Sequence, residues 1–506
     1  MTVIEPNIFL PLFERLRHLL SNDIEIYLVG GALRDLFLGQ PTHDFDFIMP
    51  NDALKIARHI ANELNAAYFP IDPERQIGRV IITKEDGERF VLDFAVFQGT
   101  DLESDLRLRD FTINALAIDL HNPFVLIDPL KGALDVKEKK LRVCSPDAMR
   151  SDPVRVLRGV RLAIQLGFQI LPETLANMRQ AVSFLPKVSN ERIRDELIRI
   201  LDGIKPDSVM RVLDSIGALE YILPEVPTLK GLAQSAPHMN DAWHHTLSTM
   251  SRLEQIITIL NPEYDEEKIA SLFMGLISLY LGRYREQIYR HLKVFINRDR
   301  YLKPLLFLAA LYHDTGKPYT QSLEKTGKIR FIHHEKIGER LIEARARQLH
   351  FSNHEVKRLQ SIVRSHMRPI LLAQTGEPLT PRTIYRYFRD LDSIGVDVCL
   401  MALADVLATY EYTLPQDIWL NQIKVVRSLL EAWYDRREKL ISPPVLVSGN
   451  DLMEEFHLSP GPLVGYLLDK IREAQVTERI HTRNDAFNLA QELLKHPPKK
   501  FLLKDS

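Results

Sequence analysis

The sequence predicts a mixed α/β head followed by helical domains, and three observations carry that reading. Segments rich in β-branched and aromatic residues (IYLVGG, DFDFIM, RVIIT, RFVLDFAVF) all fall within the first hundred positions. From position 152 onward, apolar residues recur mainly with helical spacing. The length, 506 residues, exceeds one core, and about 150 residues per domain gives three or four domains.

Taken in order, residues 5–20 have helical spacing, and LRDLFLG and DALKIARHIANEL supply helices between the strands. This head is expected to span 1–140. A helical body follows over 141–235, with DPVRVLRGVRLAIQLGF and NERIRDELIRIL as its clearest helices. Further helices carrying widely spaced histidines occupy 236–440. The proline-marked ISPPVL then opens a helical tail, 441–506, ending in the basic HPPKKFLLKDS. A net charge of −2 advertises no polyanionic partner, so any nucleic-acid contact must use local basic faces. Two distant cysteines, Cys144 and Cys399, argue against a disulfide framework or thiolate metal site. No apolar run of about 18 residues and no signal-like start is present, so the chain reads as cytoplasmic with no membrane partner.

The segment YLVGGALRDLFLGQPTHDFDFIM holds the first constellation. Asp44 and Asp46 sit two apart in a strand and project from one face, where paired hard oxygens suit Mg²⁺. Divalent ions there would activate a hydroxyl and neutralise a triphosphate. Gly30 and Gly31, between strand and helix, let backbone N–H groups approach phosphate, and Arg34 follows one turn in. A surface DxD or a plain tight turn would look the same one motif at a time. Together, GG-x2-RD and a DxD nine residues beyond Asp35 resemble the class II tRNA nucleotidyltransferase and poly(A) polymerase family. LRLRDFTINA is similar to that family's second motif, matching at Arg109, Asp110, Thr112 and Asn114, with Leu108 where an arginine is common. Asp93, in VLDFAVF, is a candidate third carboxylate.

Asp152 and Arg155, three apart, would share a helical face. An arginine donor beside a carboxylate acceptor matches the pairing edges of cytosine and adenine and rejects uracil and guanine. An intrahelical ion pair is the plainer alternative. The segment resembles the family's base-reading motif, with Ser151 replacing its glutamate. Arg158 and Arg161 extend a basic face, and Glu191 and Arg192 resemble a helix-start brace. Little sequence separates the Asp93 strand from RDFT, where members that add A usually carry a flexible loop. The resemblance therefore implies CTP as substrate and C addition, with ATP use and full CCA addition as the alternative.

The second constellation is His245, His313, Asp314, His334, His366 and Asp405, spread over 160 residues. Any one histidine would ordinarily be a satisfied core or surface residue. The ordered set resembles the HD phosphohydrolase signature, implying a site for Mn, Fe, Co, Ni or Zn that hydrolyses 2′,3′-cyclic phosphates or phosphomonoesters. His238, His244 and His333 read as bystanders. In the tail, Pro460, Gly461 and Pro462 form a stiff turn opening a helix, and the resemblance makes the tail a grip on tRNA. The rival readings are a poly(A) polymerase, a nucleotidyltransferase–HD signalling protein and a non-catalytic RNA-binding protein. The oligomeric state stays open, a homodimer included.

Overall fold

The computed structural model describes residues 2–3, 10–84, 87–269, 271–297, 300–496 and 498. Positions 5–9 of the expected first helix and most of the basic end lie outside them; the helix itself covers Leu10–Leu19. The chain divides into two compact units, Met1–Ile222 and Leu223–Ser506.

The first unit opens on an eight-stranded mixed sheet. Its strands are β1 (Thr2–Val3), β2 (Tyr27–Val29), β3 (Asp44–Met49), β4 (Ala67–Asp72), β5 (Ile77–Thr83), β6 (Arg89–Val96), β7 (Ala117–Asp119) and β8 (Val125–Ile127). They lie in the order β1-β8-β7-β2-β3-β6-β5-β4, and β3 and β6 run parallel. The period of two along β3 buries Phe45 and Phe47 in the core with Leu28, Leu92 and Phe94, and turns Asp44 and Asp46 outward. The same alternation that builds the core therefore presents the carboxylates. Helices take over beyond the sheet, chiefly Arg155–Leu166 and Asn190–Asp202.

The second unit is almost wholly helical. Helices Ala242–Ile259, Leu302–Tyr312, His334–Gln348, Asn353–Ser365 and Ile394–Tyr410 surround the histidine constellation. Near the end, Leu452, Leu467, Ile471 and Ala490 form a separate small core. There Gly461 caps helix Pro462–Val476. Proline suits this first helical turn because its missing N–H would have no helical partner there. No helix among the described residues is long and apolar enough to cross a membrane.

Candidate functional sites: a carboxylate cleft and a buried histidine cluster

Strand β2 ends at Val29, and Gly30 takes φ +82° before the helix Gly31–Phe37. A Cβ at Gly30 would stand 2.9 Å from Asp46 Oδ2 and 3.6 Å from an Arg109 guanidinium nitrogen. Glycine is needed both for the left-handed backbone and for the carboxylate packed against it. The parallel register sets Asp93 of β6 opposite Asp46. Arg79 of β5 grips Asp93 through two hydrogen bonds of 2.8 Å. Protein atoms crowding Asp46 raise its pKa above the ordinary carboxylate value; Asp93 and Asp44 add to the rise, while Arg109 and Arg158 oppose it. An all-oxygen donor set in which negative charges oppose one another fits a hard divalent cation such as Mg²⁺.

Asp110 is buried and accepts from the Phe111 N–H at 2.7 Å, Asn114 Nδ2 at 3.1 Å and Arg158 Nε at 2.6 Å. Burial alone would raise its pKa; Arg158, Asn114 and the Phe111 N–H overcome that and hold it low. Asn114 Oδ1 accepts in turn from Arg34 at 2.8 Å. One continuous chain thus links Arg34, Asn114, Asp110 and Arg158, so Asp110 aims its neighbours' polar groups. A cavity of about 430 Å³ brings together Gly30, Gly31, Asp46, Arg109, Asp110, Asn114, Asp152, Arg155 and Arg158. Asp44, Asp93, Arg34 and Arg161 do not line it; Arg161 is ion-paired with Glu196.

Asp152 and Arg155 depart from the expected shared helix. Pro153 disfavours helical backbone at the residue before it. Asp152 accordingly sits at φ −145° in a break after helix Ala148–Ser151, and Arg155 begins the next helix. The two side chains still approach to 3.8 Å. Arg192 donates to Asp152 Oδ2 at 2.6 Å, a cross-helix brace of the kind expected, while Oδ1 is buried without a hydrogen-bond partner among the described residues. Sequence reasoning passed over Asp105. It is buried, accepts from the Gln98 N–H at 2.8 Å and holds Arg109 Nε at 3.1 Å. The i,i+4 spacing from Asp105 to Arg109 was the available signal.

In the second unit all six predicted residues converge and are buried. His245 Nε2 lies 3.3 Å from His313 Nε2, and His334 Nε2 lies 3.2 Å from His366 Nε2. Asp314 stands between the pairs, 3.2 Å from His313 and 3.4 Å from His334, and Asp405 Oδ1 is 3.1 Å from His245. His313, His334 and His366 each direct Nδ1 at the carbonyl three residues earlier, at 2.8, 2.9 and 2.7 Å. Donation there leaves each Nε2 as a lone pair pointing inward, the tautomer metal ligands use. His245–His313–Asp314 and Asp314–His334–His366 each form a ligand-like triad, with Asp314 common to both. This donor set fits one or two borderline metal ions. Burial, with His334 and His313 adjacent, pushes the His366 pKa down to about 3. Lys317, also buried, places Nζ 2.6 Å from Asp314. His244 and His333 are exposed, but His238 packs edge-on against His245 with ring centres 4.9 Å apart, so it belongs to the cluster's surroundings.

Comparison with known proteins follows the same division. Residues 26–142 match the poly A polymerase head domain and 167–229 the probable RNA and SrmB-binding site of polymerase A. The HD domain covers 279–410, and a putative tRNA nucleotidyltransferase domain 2 covers 442–489. The CC-adding tRNA nucleotidyltransferase of Thermus thermophilus is 30% identical over 475 residues, 91% of this chain and 92% of that one. The chain belongs to the tRNA nucleotidyltransferase family. Another relative is the A-adding tRNA nucleotidyltransferase of Deinococcus radiodurans, 29% identical across 93% of this chain and 96% of its own. Among solved structures, a CCA-adding enzyme with ATP aligns with TM-score 0.60 at 18% identity, covering 97% of this chain and 96% of that one. The Thermotoga maritima CCA-adding enzyme complexed with tRNA aligns at 0.57 over the same shares, also at 18%. These likenesses establish a tRNA nucleotidyltransferase fold with an HD domain inserted before the tail.

Proposed function

We propose that this chain adds nucleotides to the 3′ end of tRNA, with C from CTP as its preferred addition, and that its HD domain hydrolyses phosphate esters at RNA ends. The observation that carries the first part is one cavity joining Asp46 and Gly30 to Asp152 and Arg155. Asp44 and Asp46 would hold Mg²⁺, with Asp93 in reserve behind Arg79. Bound there, the ion supplies Lewis-acid activation of the primer hydroxyl and neutralises the triphosphate. The 3′-oxygen bonds to the α-phosphorus, the α–β bridge breaks and pyrophosphate leaves. Arg109 and Arg158, fixed by Asp105 and Asp110, present cations to the triphosphate. Arg34 and Asn114 orient that network, and Arg161 supports the helix through Glu196. Asp152 and Arg155 read the pairing edge of cytosine, and of adenine where ATP is used.

The preference for C rests on the stretch between β6 and Arg109. It forms a short helix, Leu102–Leu108, opened by an Asp101–Ser104 capping box, which leaves no long loop to reset the pocket. The CC-adding relatives from Thermus, Synechocystis and Geobacter agree with this. Addition of A is the second reading, favoured by the Deinococcus relative. In the HD domain, the six residues would hold a transition metal, which would supply Lewis-acid chemistry for hydrolysis of a phosphate ester. The tail would grip tRNA near the Pro460–Pro462 turn, and a tRNA substrate makes the cytoplasm the place of work. The test offers CTP, ATP or both to tRNA transcripts ending before, within and after the CCA sequence. Two cytidines and no adenosine are expected. Adenosine addition alone would favour the second reading, and failure to extend any transcript would reject the proposal.

A further inference from the structure

Beside the histidine cluster lies a cavity of about 570 Å³, in the range that encloses a drug-sized ligand. Its walls differ in character. Lys317, Lys328 and Arg330 bring basic groups to the side that carries Asp314 and His334. Ile370, Ala373, Val406 and Ile418, on three different helices, make an apolar wall. A phosphate alone would need only the first of these. Gln422 also lines the cavity, is 1% exposed, and its Nε2 has no hydrogen-bond partner among the described residues. A buried amide donor left unmet is destabilising, so such a group in a cavity wall points to a ligand acceptor.

We propose that this cavity seats a whole nucleotide and that Gln422 is its specificity-determining donor. The phosphate lies at the basic side, the base lies on the apolar wall, and the Gln422 amide donates to a sugar or base acceptor. Gln422 is a ligand-binding residue outside the metal-ligating six. The inference rests on the hydrolase reading of the HD domain for its activity readout, and binding supplies an independent one.

The metal-loaded full chain and its Gln422→Leu variant are assayed on adenosine 3′-monophosphate and on p-nitrophenyl phosphate, which has no sugar or nucleobase. The variant should raise KM for the nucleotide about tenfold with kcat little changed, while its constants for p-nitrophenyl phosphate stay at wild-type values. Unchanged constants for p-nitrophenyl phosphate and a wild-type thermal melting curve separate that loss from misfolding. Equal losses on both esters, or an unchanged nucleotide KM, would overturn the proposal. If the wild type hydrolyses neither ester, the hydrolase reading fails and calorimetric titration with adenosine 3′-monophosphate decides this one. Weaker binding to Gln422→Leu upholds it; equal binding, or none to either protein, overturns it.

Discussion

The two candidate centres solve the problem of holding a cation in opposite ways. In the head, Asp44 and Asp46 come from one strand two residues apart and face outward, with the Arg109 and Arg158 guanidinium groups near Asp46. In the HD domain, six candidate ligands from five parts of the chain converge in the interior, and three of the four histidines, His313, His334 and His366, have Nδ1 tethered to a backbone carbonyl. An open carboxylate pair suits a metal that arrives with a triphosphate and leaves with pyrophosphate. A buried imidazole cage suits a resident metal.

Three substitutions or conditions can break or sharpen that contrast. The largest effect is expected from Gly30→Ala, whose Cβ would strike Asp46 at 2.9 Å on a backbone of φ +82°. Nucleotide addition should fall by about a hundredfold or more, since displaced groups at a reacting centre lose that much. Hydrolysis by the HD domain should be unchanged, and steady-state assays of both activities check it. Next, Arg155→Ala should relax base choice, raising misincorporation of U relative to C by about tenfold to a hundredfold in single-nucleotide primer extension. A uniform loss with every nucleotide would instead make Arg155 a structural residue. The smallest effect concerns pH. Asp46 must be ionised to hold a cation, and crowding raises its pKa above the usual carboxylate value. Addition should therefore fail, as pH drops, sooner than an ordinary aspartate would cause, and higher Mg²⁺ should move that acid limb to lower pH. HD hydrolysis, whose ligand His366 is held neutral down to about 3, should not follow the same Mg²⁺ dependence.

The two centres also differ in how far the sequence disclosed them. The head was legible because its key groups are local: strand alternation shows which face Asp44 and Asp46 occupy, and GG marks the turn beside them. The order of eight strands was not, because β7 is only three residues long and joins the sheet by pairing with the distant β2, while β1 pairs with the distant β8. Asp152 was misplaced onto a helix because helical spacing outweighed the single restriction imposed by Pro153. Asp105 was passed over although its i,i+4 spacing to Arg109 was legible, because its importance comes from burial, which spacing alone does not reveal. In the HD domain, residue types and order exposed the ligands, while Lys317, His238 and Gln422 became visible only when the helices had packed around a cavity.

The most direct measurement pairs two variants with two assays. Purified Asp46→Ala and His313→Ala proteins are each tested for CTP addition to a truncated tRNA and for hydrolysis of a phosphate ester. Asp46→Ala should lose addition by about a thousandfold or more and keep hydrolysis, and His313→Ala should do the reverse. Addition surviving in Asp46→Ala, or both activities vanishing together in either protein, would contradict the assignment of two independent centres.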